Sequence, residues 1–100
     1  MRKITQLSII AFLNAEPFCL NNTIVEVEPN VTILKLHNNP IAYKYNDPKQ
    51  TISITNAGWE TNTTKERLNA IPGVEIQQIN FQWYLNGNLW DGSLTEIYSL

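Results

Sequence analysis

Residues 23–56 read TIVEVEPNVTILKLHNNPIAYKYNDPKQTISITN, and this stretch decides the fold. Apolar and polar residues alternate in short runs, which is the period of a β-strand. Turn signals rich in Asn, Pro and Asp separate the runs. Connectors this short join antiparallel neighbours, so the stretch predicts an antiparallel meander. The predicted strands are 23–28, 31–37, 41–46 and 51–56.

The segment before the meander, residues 3–15, has the apolar spacing of a helix that ends before Pro17. Its apolar residues fall on two sides. One hypothesis is a helix packed against the sheet all round, and the alternative is a helix that contributes to a homodimer interface. The apolar run 9–13 is shorter than the core of a signal peptide, so we expect the helix to remain in the mature protein.

On the C-terminal side of the meander, residues 63–71 predict a second helix. Leu68 and Ile71 share one side of it, and a Pro-Gly pair follows. Thr63 and Glu66 have the spacing of a capping box, in which each side chain bonds the backbone N–H of the other residue. We therefore expect Thr63 to cap this helix.

The last third of the chain predicts short strands at 74–79 and 81–85, and Asn86-Gly87 predicts a type I′ hairpin turn. The fold class is therefore α+β: an N-terminal helix, an antiparallel β-meander of about four strands, a second helix and a C-terminal β-hairpin. The length of 100 residues, without a repeat or a shift in composition, indicates that residues 1–100 form a single domain.

Composition is that of an ordinary soluble globular protein. Hydrophobic residues make up 43% and charged residues 16%, and the formal net charge is −2. Neither disorder nor a general attraction to nucleic acid is expected from these values. Cys19 is the only cysteine, which excludes an intrachain disulfide and favours a reducing cytoplasm. No run approaches the roughly 20 apolar residues that span a bilayer, so we expect no association with a membrane.

The sequence offers little catalytic chemistry. Cys19 and His37 are the only residues of their types, and nothing in the spacing brings a base to the thiol. One histidine, one cysteine and scattered carboxylates do not supply a metal site. There is no Gly-rich phosphate loop and no nucleophile elbow. We therefore predict a protein that is not an enzyme and that has no catalytic residue, metal or cofactor.

The start of the second helix is the strongest candidate binding site. Its free backbone N–H groups and the positive end of the helix dipole favour an anion. Nearby basic side chains and threonine hydroxyls could complete the site, and a tryptophan could anchor a protein partner. The structural alternative is that the threonines only cap the helix. The predicted partner- or anion-binding residues are Trp59, Thr61, Thr64, Lys65 and Arg67.

A second candidate site is the strand segment Tyr43-Lys44-Tyr45. Alternation places Tyr43 and Tyr45 on one face together with Ile41, where the rings could stack on nucleic-acid bases. Lys44 projects to the opposite face. We favour the alternative interpretation, in which this aromatic face packs into the core or under a helix.

Four stretches carry motifs that together cover most of the chain. The most specific are GW-x-T-x-TTKERLN at 58–69 and WYLNG-x-x-WDG at 83–92; the others are AFLNAEPF at 11–18 and LKLHNNPIA at 34–42. They resemble a family of small, uncharacterised proteins encoded by bacteriophages and prophages, although Asn39 stands where that family has glycine. The resemblance implies a phage product that acts in the cytoplasm of a bacterial host. It implies no activity, ligand or catalytic residue.

Three hypotheses on function follow. The leading one is a small phage-encoded accessory protein that binds a macromolecular partner, a host or defence protein, without catalysis. Its contact region would be residues 61–67 with Trp59, together with the hairpin between Trp83 and Trp90. Packing in the core is the alternative role of these tryptophans. The second hypothesis is a nucleic-acid-binding protein that uses the basic helix start and the aromatic strand, and the third is a minor virion or structural component.

Overall fold

The computed structural model of the protein describes residues 2–98. It contains helices and strands in the segments where the sequence has helical and alternating apolar patterns. Within these residues the chain forms two helices and nine strands. In chain order they are α1 (Lys3–Leu13), β1 (Phe18–Leu20), β2 (Thr23–Val27), β3 (Val31–Leu36), β4 (Asn39–Tyr45), β5 (Ile52–Ile54), α2 (Asn62–Asn69), β6 (Ile76–Ile79), β7 (Gln82–Leu85), β8 (Asn88–Leu89) and β9 (Thr95–Tyr98).

The strands form two antiparallel sheets. Strands β1 to β5 follow one another as a meander, and β9 adds beside β5, which gives the order β1-β2-β3-β4-β5-β9. Strands β6, β7 and β8 form a separate three-stranded sheet. The predicted α+β class is confirmed. Strands β1 and β9 lie outside the sequence prediction, because each is an edge strand of only three or four residues.

One face of the six-stranded sheet carries the core. Leu34, Ala42 and Ile54 pair across three neighbouring strands, and all three are fully buried. Phe12 of α1 and Leu68 of α2, also fully buried, belong to the same hydrophobic cluster. Burying a side chain of this size contributes roughly 1.5–3 kcal/mol. The core therefore attaches both helices to one face of the sheet.

The opposite face carries the tyrosines. Tyr43 and Tyr45 are half-buried there, and their rings stack with centroids 6.2 Å apart and planes 12° from parallel. The favoured sequence interpretation, an aromatic face packed into the core, is therefore wrong. A register shift between β3 and β4 is the reason: Ile41 and Ala42 are both buried in succession, and the alternation restarts after them.

Helix α1 is neither buried all round nor free. Ile9 and Phe12 point into the core, whereas Leu7 and Ile10 are 39% and 54% exposed. The hypothesis that the sheet covers both apolar sides of this helix is therefore wrong. A homodimer interface through Leu7 and Ile10 stays a prediction.

Two tight turns connect the strands of the small sheet. Asn86 and Gly87 have φ angles of 50° and 88°, and a type I′ turn needs positive φ at both central residues. The turn predicted at this pair is thus confirmed. Asn80 and Phe81, between β6 and β7, also have positive φ angles, of 52° and 66°.

Helix α2 begins earlier than predicted. The cap is Thr61, whose Oγ1 accepts a hydrogen bond of 3.1 Å from the backbone N–H of Thr64. The prediction that Thr63 caps the helix is wrong. Glu66 does not complete the predicted capping box, because its carboxylate instead accepts hydrogen bonds from the side chains of Arg2 and Thr5.

Candidate functional site

A cavity of about 270 Å³, which we call the α2 cavity, lies at the start of helix α2. Three of the five predicted binding residues line it: Trp59, Thr61 and Thr64. His37 and Asn39, from the connection between β3 and β4, also line it. The sheet and the helix start thus meet around one small space.

The threonines of the α2 cavity are used by the protein itself. Thr61 caps the helix, and the hydroxyl groups of Thr61 and Thr64 lie 3.0 Å apart in a hydrogen bond. Thr64 is only 1% exposed. Helix capping, the structural alternative, therefore accounts for both hydroxyls without a ligand.

Lys65 does not line the α2 cavity. Its Nζ donates a hydrogen bond of 3.2 Å to Oε1 of Gln78 and lies 6.0 Å from the ring centroid of Trp83. The charge that an anion site at the helix start would need is thus directed toward the small sheet.

Arg67 is the centre of a buried polar network. Its side chain is 1% exposed, although it is charged. Nε donates to Oγ1 of Thr23 at 3.2 Å, and the same guanidinium donates to Oε1 of Glu66 at 2.8 Å and to Oγ1 of Thr5. These bonds connect α2 with α1 and β2. The expectation that Arg67 is available to a partner is wrong, because its guanidinium is enclosed by structural hydrogen bonds.

The network also sets the charge state of Glu66. Oγ1 of Thr5 donates to its Oε1 at 2.7 Å, and Nε of Arg2 donates at 2.9 Å. The bond from Thr5 is the largest cause that lowers the pKa of Glu66, and the bond and charge of Arg2 and the charge of Arg67 act in the same direction. Burial lowers the pKa of Arg67, yet a guanidinium is not deprotonated in proteins. The pair is therefore ionised at neutral pH.

Trp59 is presented to solvent on a well-supported turn. Its side chain is 58% exposed. The preceding Gly58 has φ 83°, and its N–H donates 2.8 Å to Oδ1 of Asn56, while the N–H of Trp59 donates 2.9 Å to the carbonyl of the same residue. Packing in the core, the alternative role of Trp59, is wrong.

Trp83 and Trp90 are core residues, 1% and 8% exposed, with ring centroids 6.2 Å apart. Nε1 of Trp90 donates to the carbonyl of Ser93 at 3.1 Å and to Oγ1 of Thr95 at 3.0 Å. Nε1 of Trp83 has no partner among the described residues. Core packing is therefore the role of both indoles.

The sequence did not predict two exposed apolar side chains of the small sheet and its turns. Phe81 is 91% exposed and Leu89 is 64% exposed. Both line a second pocket, which we call the Phe81 pocket, together with Glu60, the residue after Trp59. Nothing in the pattern marked Phe81 as a surface residue, because an aromatic residue beside a strand usually packs inward.

The aromatic and basic groups of the nucleic-acid hypothesis do not come together. Tyr43 and Tyr45 offer a half-exposed stacked pair, but Lys44 lies on the other face of its strand. Nζ of Lys35, on the tyrosine face, is 2.9 Å from Oε1 of Glu26. Arg67 is buried elsewhere, so neither Lys35 nor Arg67 is free on the tyrosine face to contact a phosphate backbone.

The remaining chemistry-bearing residues are dispersed. Cys19 is exposed on β1 and does not line the α2 cavity, which His37 does line. Across residues 2–98 no group of three His, Cys, Asp or Glu side chains is placed to hold a metal ion. In the same range, no helix has both the length and the apolar character needed to cross a membrane.

Comparison with known proteins supplies the family. The model of the Kyanoviridae Gp96 protein family matches residues 1–97. The chain belongs to this family. Kyanoviridae are cyanophages, so the resemblance to small phage-encoded proteins is supported at the level of origin. No curated protein and no solved structure matches the chain significantly.

Proposed function

We propose that this phage protein acts without catalysis, by binding a protein of the host or the phage in the bacterial cytoplasm. The observation that carries the proposal is a set of exposed apolar side chains on tight turns and short strands, which we call the aromatic edge: Trp59, Phe81 and Leu89. Aromatic side chains are enriched in protein interfaces and supply many of the energetic anchors.

The backbone at Phe81 supports this proposal. A left-handed conformation costs a residue with a side chain roughly 1–2 kcal/mol relative to the right-handed one, and a bulky residue there is unusual. At 91% exposure the ring recovers little of that energy by burial. A residue that stabilises the free protein so little is better explained by a contact made in a complex.

The aromatic edge replaces the contact region expected from the sequence. Trp59 remains in it, whereas Arg67 and Thr64 are buried and Thr61 caps α2. Lys65 borders the region through its contact with Trp83. The hairpin that follows Trp83 contributes Leu89 rather than its tryptophans.

Affinity capture from a cyanobacterial host lysate, with and without infection, tests the proposal. We expect wild-type protein to enrich a partner, and a Trp59→Ala/Phe81→Ala variant to lose it. Leu20→Ala, which shortens an exposed apolar side chain on β1, is the matched control and should retain the partner. The captured protein should then bind the purified chain directly. Equal capture by the double variant, or no enrichment by the wild type, would contradict the proposal.

A further inference from the structure

The Phe81 pocket has a composition that points to one kind of occupant. Its volume is about 260 Å³, below the roughly 300–1,000 Å³ of sites that hold whole small molecules. The residues that line it include three aromatic ones, Phe81, Trp83 and Trp90, and two acidic ones, Glu60 and Asp91. Phe81 is the exposed member of the aromatic group. A space of this size fits a single side chain of a partner.

The charge at the pocket is negative. No Lys, Arg or His is among the described residues that line it. Hydrogen bonds from Ser93, first from its hydroxyl and then from its backbone N–H, lower the pKa of Asp91, so this carboxyl group is ionised at neutral pH. The N–H of Ser93 lies 2.9 Å from Oδ1, which also holds the carboxylate in place. An anionic group would be repelled from this pocket.

The aromatic rings favour a cation for a second, independent reason. The negative face of an aromatic ring attracts ammonium and guanidinium groups. The protein already makes one such contact, because Nζ of Lys65 stands 6.0 Å from the ring centroid of Trp83. Since Lys65 does not line the pocket and Phe81 is 91% exposed, the ring of Phe81 remains for a cation from outside.

From this geometry we infer that the Phe81 pocket binds the side chain of a lysine or arginine of the protein partner. The alkyl stem lies against Leu89 and the rings, and the cationic end lies near the carboxylates of Glu60 and Asp91. Phe81 keeps its unfavourable φ of 66° because its ring forms one wall of this pocket. The inference rests on the proposed function and specifies the chemistry that the partner must present.

NMR titration of the intact protein tests the inference with defined probes. The probes are N-acetyl-arginine methylamide and N-acetyl-lysine methylamide, and their neutral counterparts are the citrulline and norleucine derivatives. We expect the cationic probes to shift the indole Nε1–H of Trp90 and the backbone amide of Phe81. Binding of the neutral probes should be about two- to fivefold weaker, the ratio that one cation–π contact at an exposed site corresponds to. Added salt should weaken the binding of the cationic probes and leave the binding of the neutral probes unchanged.

Three variants locate the effect. Asp91→Asn keeps an oxygen for the N–H of Ser93 but removes the charge, and Phe81→Leu keeps apolar volume but removes the ring; both should weaken binding of the cationic probes. Glu16→Gln removes an exposed carboxylate that does not line the pocket and should leave binding unchanged.

The outcomes separate the inference from the proposed function. The inference would be overturned if the arginine and citrulline probes bound equally well or if neither bound. It would also be overturned if the Phe81→Leu and Asp91→Asn variants bound the cationic probes as tightly as the wild type does. If Phe81→Ala nevertheless abolishes capture of the partner, the proposed function stands and only the cationic side chain is wrong. If the Trp59→Ala/Phe81→Ala variant also captures the partner as well as the wild type does, both are wrong.

Discussion

The Arg67 network and the turn at Asn80 and Phe81 each contain a residue with unusual burial: a charged residue is buried in the network and an aromatic residue is exposed at the turn. A charged side chain is 1% exposed at the centre of the first, and an aromatic side chain is 91% exposed at the tip of the second. Charged residues are rarely fully buried unless paired, and Arg67 meets that condition through Glu66, Thr5 and Thr23. Phe81, at 91% exposure, is left almost uncovered by the described residues.

The difference separates stability from function. The bonds of Arg67 join two helices to the sheet, so its residue type is explained by the folded chain alone. The residue type of Phe81 is not, since both its exposure and its positive φ would suit glycine or asparagine better. Substitutions in the two regions should therefore have opposite consequences for folding and for binding.

Arg67→Ala is expected to have the largest effect on stability. It removes the guanidinium that donates to Thr5, Thr23 and Glu66 and opens a cavity between α1, α2 and β2. Leaving a buried polar group without its hydrogen-bond partner costs roughly 1–3 kcal/mol, and the cavity adds to this loss. Urea unfolding should show a loss of this size in the free energy of unfolding, enough to unfold much of the protein if its stability is marginal.

Lys65→Ala is the matched control for that change. Lys65 is a neighbouring basic residue of the same helix with exposed contacts, and surface substitutions usually change stability by no more than about 0.5 kcal/mol. Similar losses from Lys65→Ala and Arg67→Ala would show that the Arg67 network does not hold the two helices to the sheet.

Thr61→Ala should have an intermediate effect and decides where α2 is capped. It removes the acceptor for the N–H of Thr64, and loss of such a cap costs typically about 1 kcal/mol. Thr63→Ala, at the position that the sequence favoured, should cost less because Thr63 lies inside the helix. A larger loss of unfolding free energy from Thr63→Ala than from Thr61→Ala would contradict this assignment.

The sequence predicted the parts of the fold that depend on local chemistry. The antiparallel meander follows from period-two alternation between turn signals, and the type I′ turn follows from an Asn-Gly pair that tolerates positive φ. Both are present. The position of the Tyr pair could not be predicted, because one register shift between β3 and β4 restarts the alternation and is not encoded by any turn residue.

The candidate site was predictable only in part for a related reason. Trp59, Thr61 and Thr64 do line one cavity, as residues close in sequence at a helix start must. The burial of Arg67 depends on Thr5 and Thr23, 62 and 44 residues away along the chain, and pattern arguments within one helix do not detect partners at such separations. The exposure of Phe81 depends on a turn whose second residue is atypical.

Phe81→Gly should have the smallest effect on stability, and it should stabilise the protein where the other substitutions destabilise it. The substitution gives the β6–β7 turn an Asn-Gly pair, the preferred sequence of a type I′ turn, and relieves the left-handed strain at φ 66°. The greater freedom of glycine in the unfolded chain offsets part of this gain, so we expect the free energy of unfolding to be unchanged or to rise by up to about 1 kcal/mol. Capture of the partner should be lost in the same variant.

Gly87→Ala, which forces a side chain to adopt φ 88° in the neighbouring turn, should instead destabilise the hairpin by about 1 kcal/mol. A stabilised Phe81→Gly variant that still captured the partner would remove the functional explanation for this residue, whereas a destabilised one would show that the ring contributes to folding.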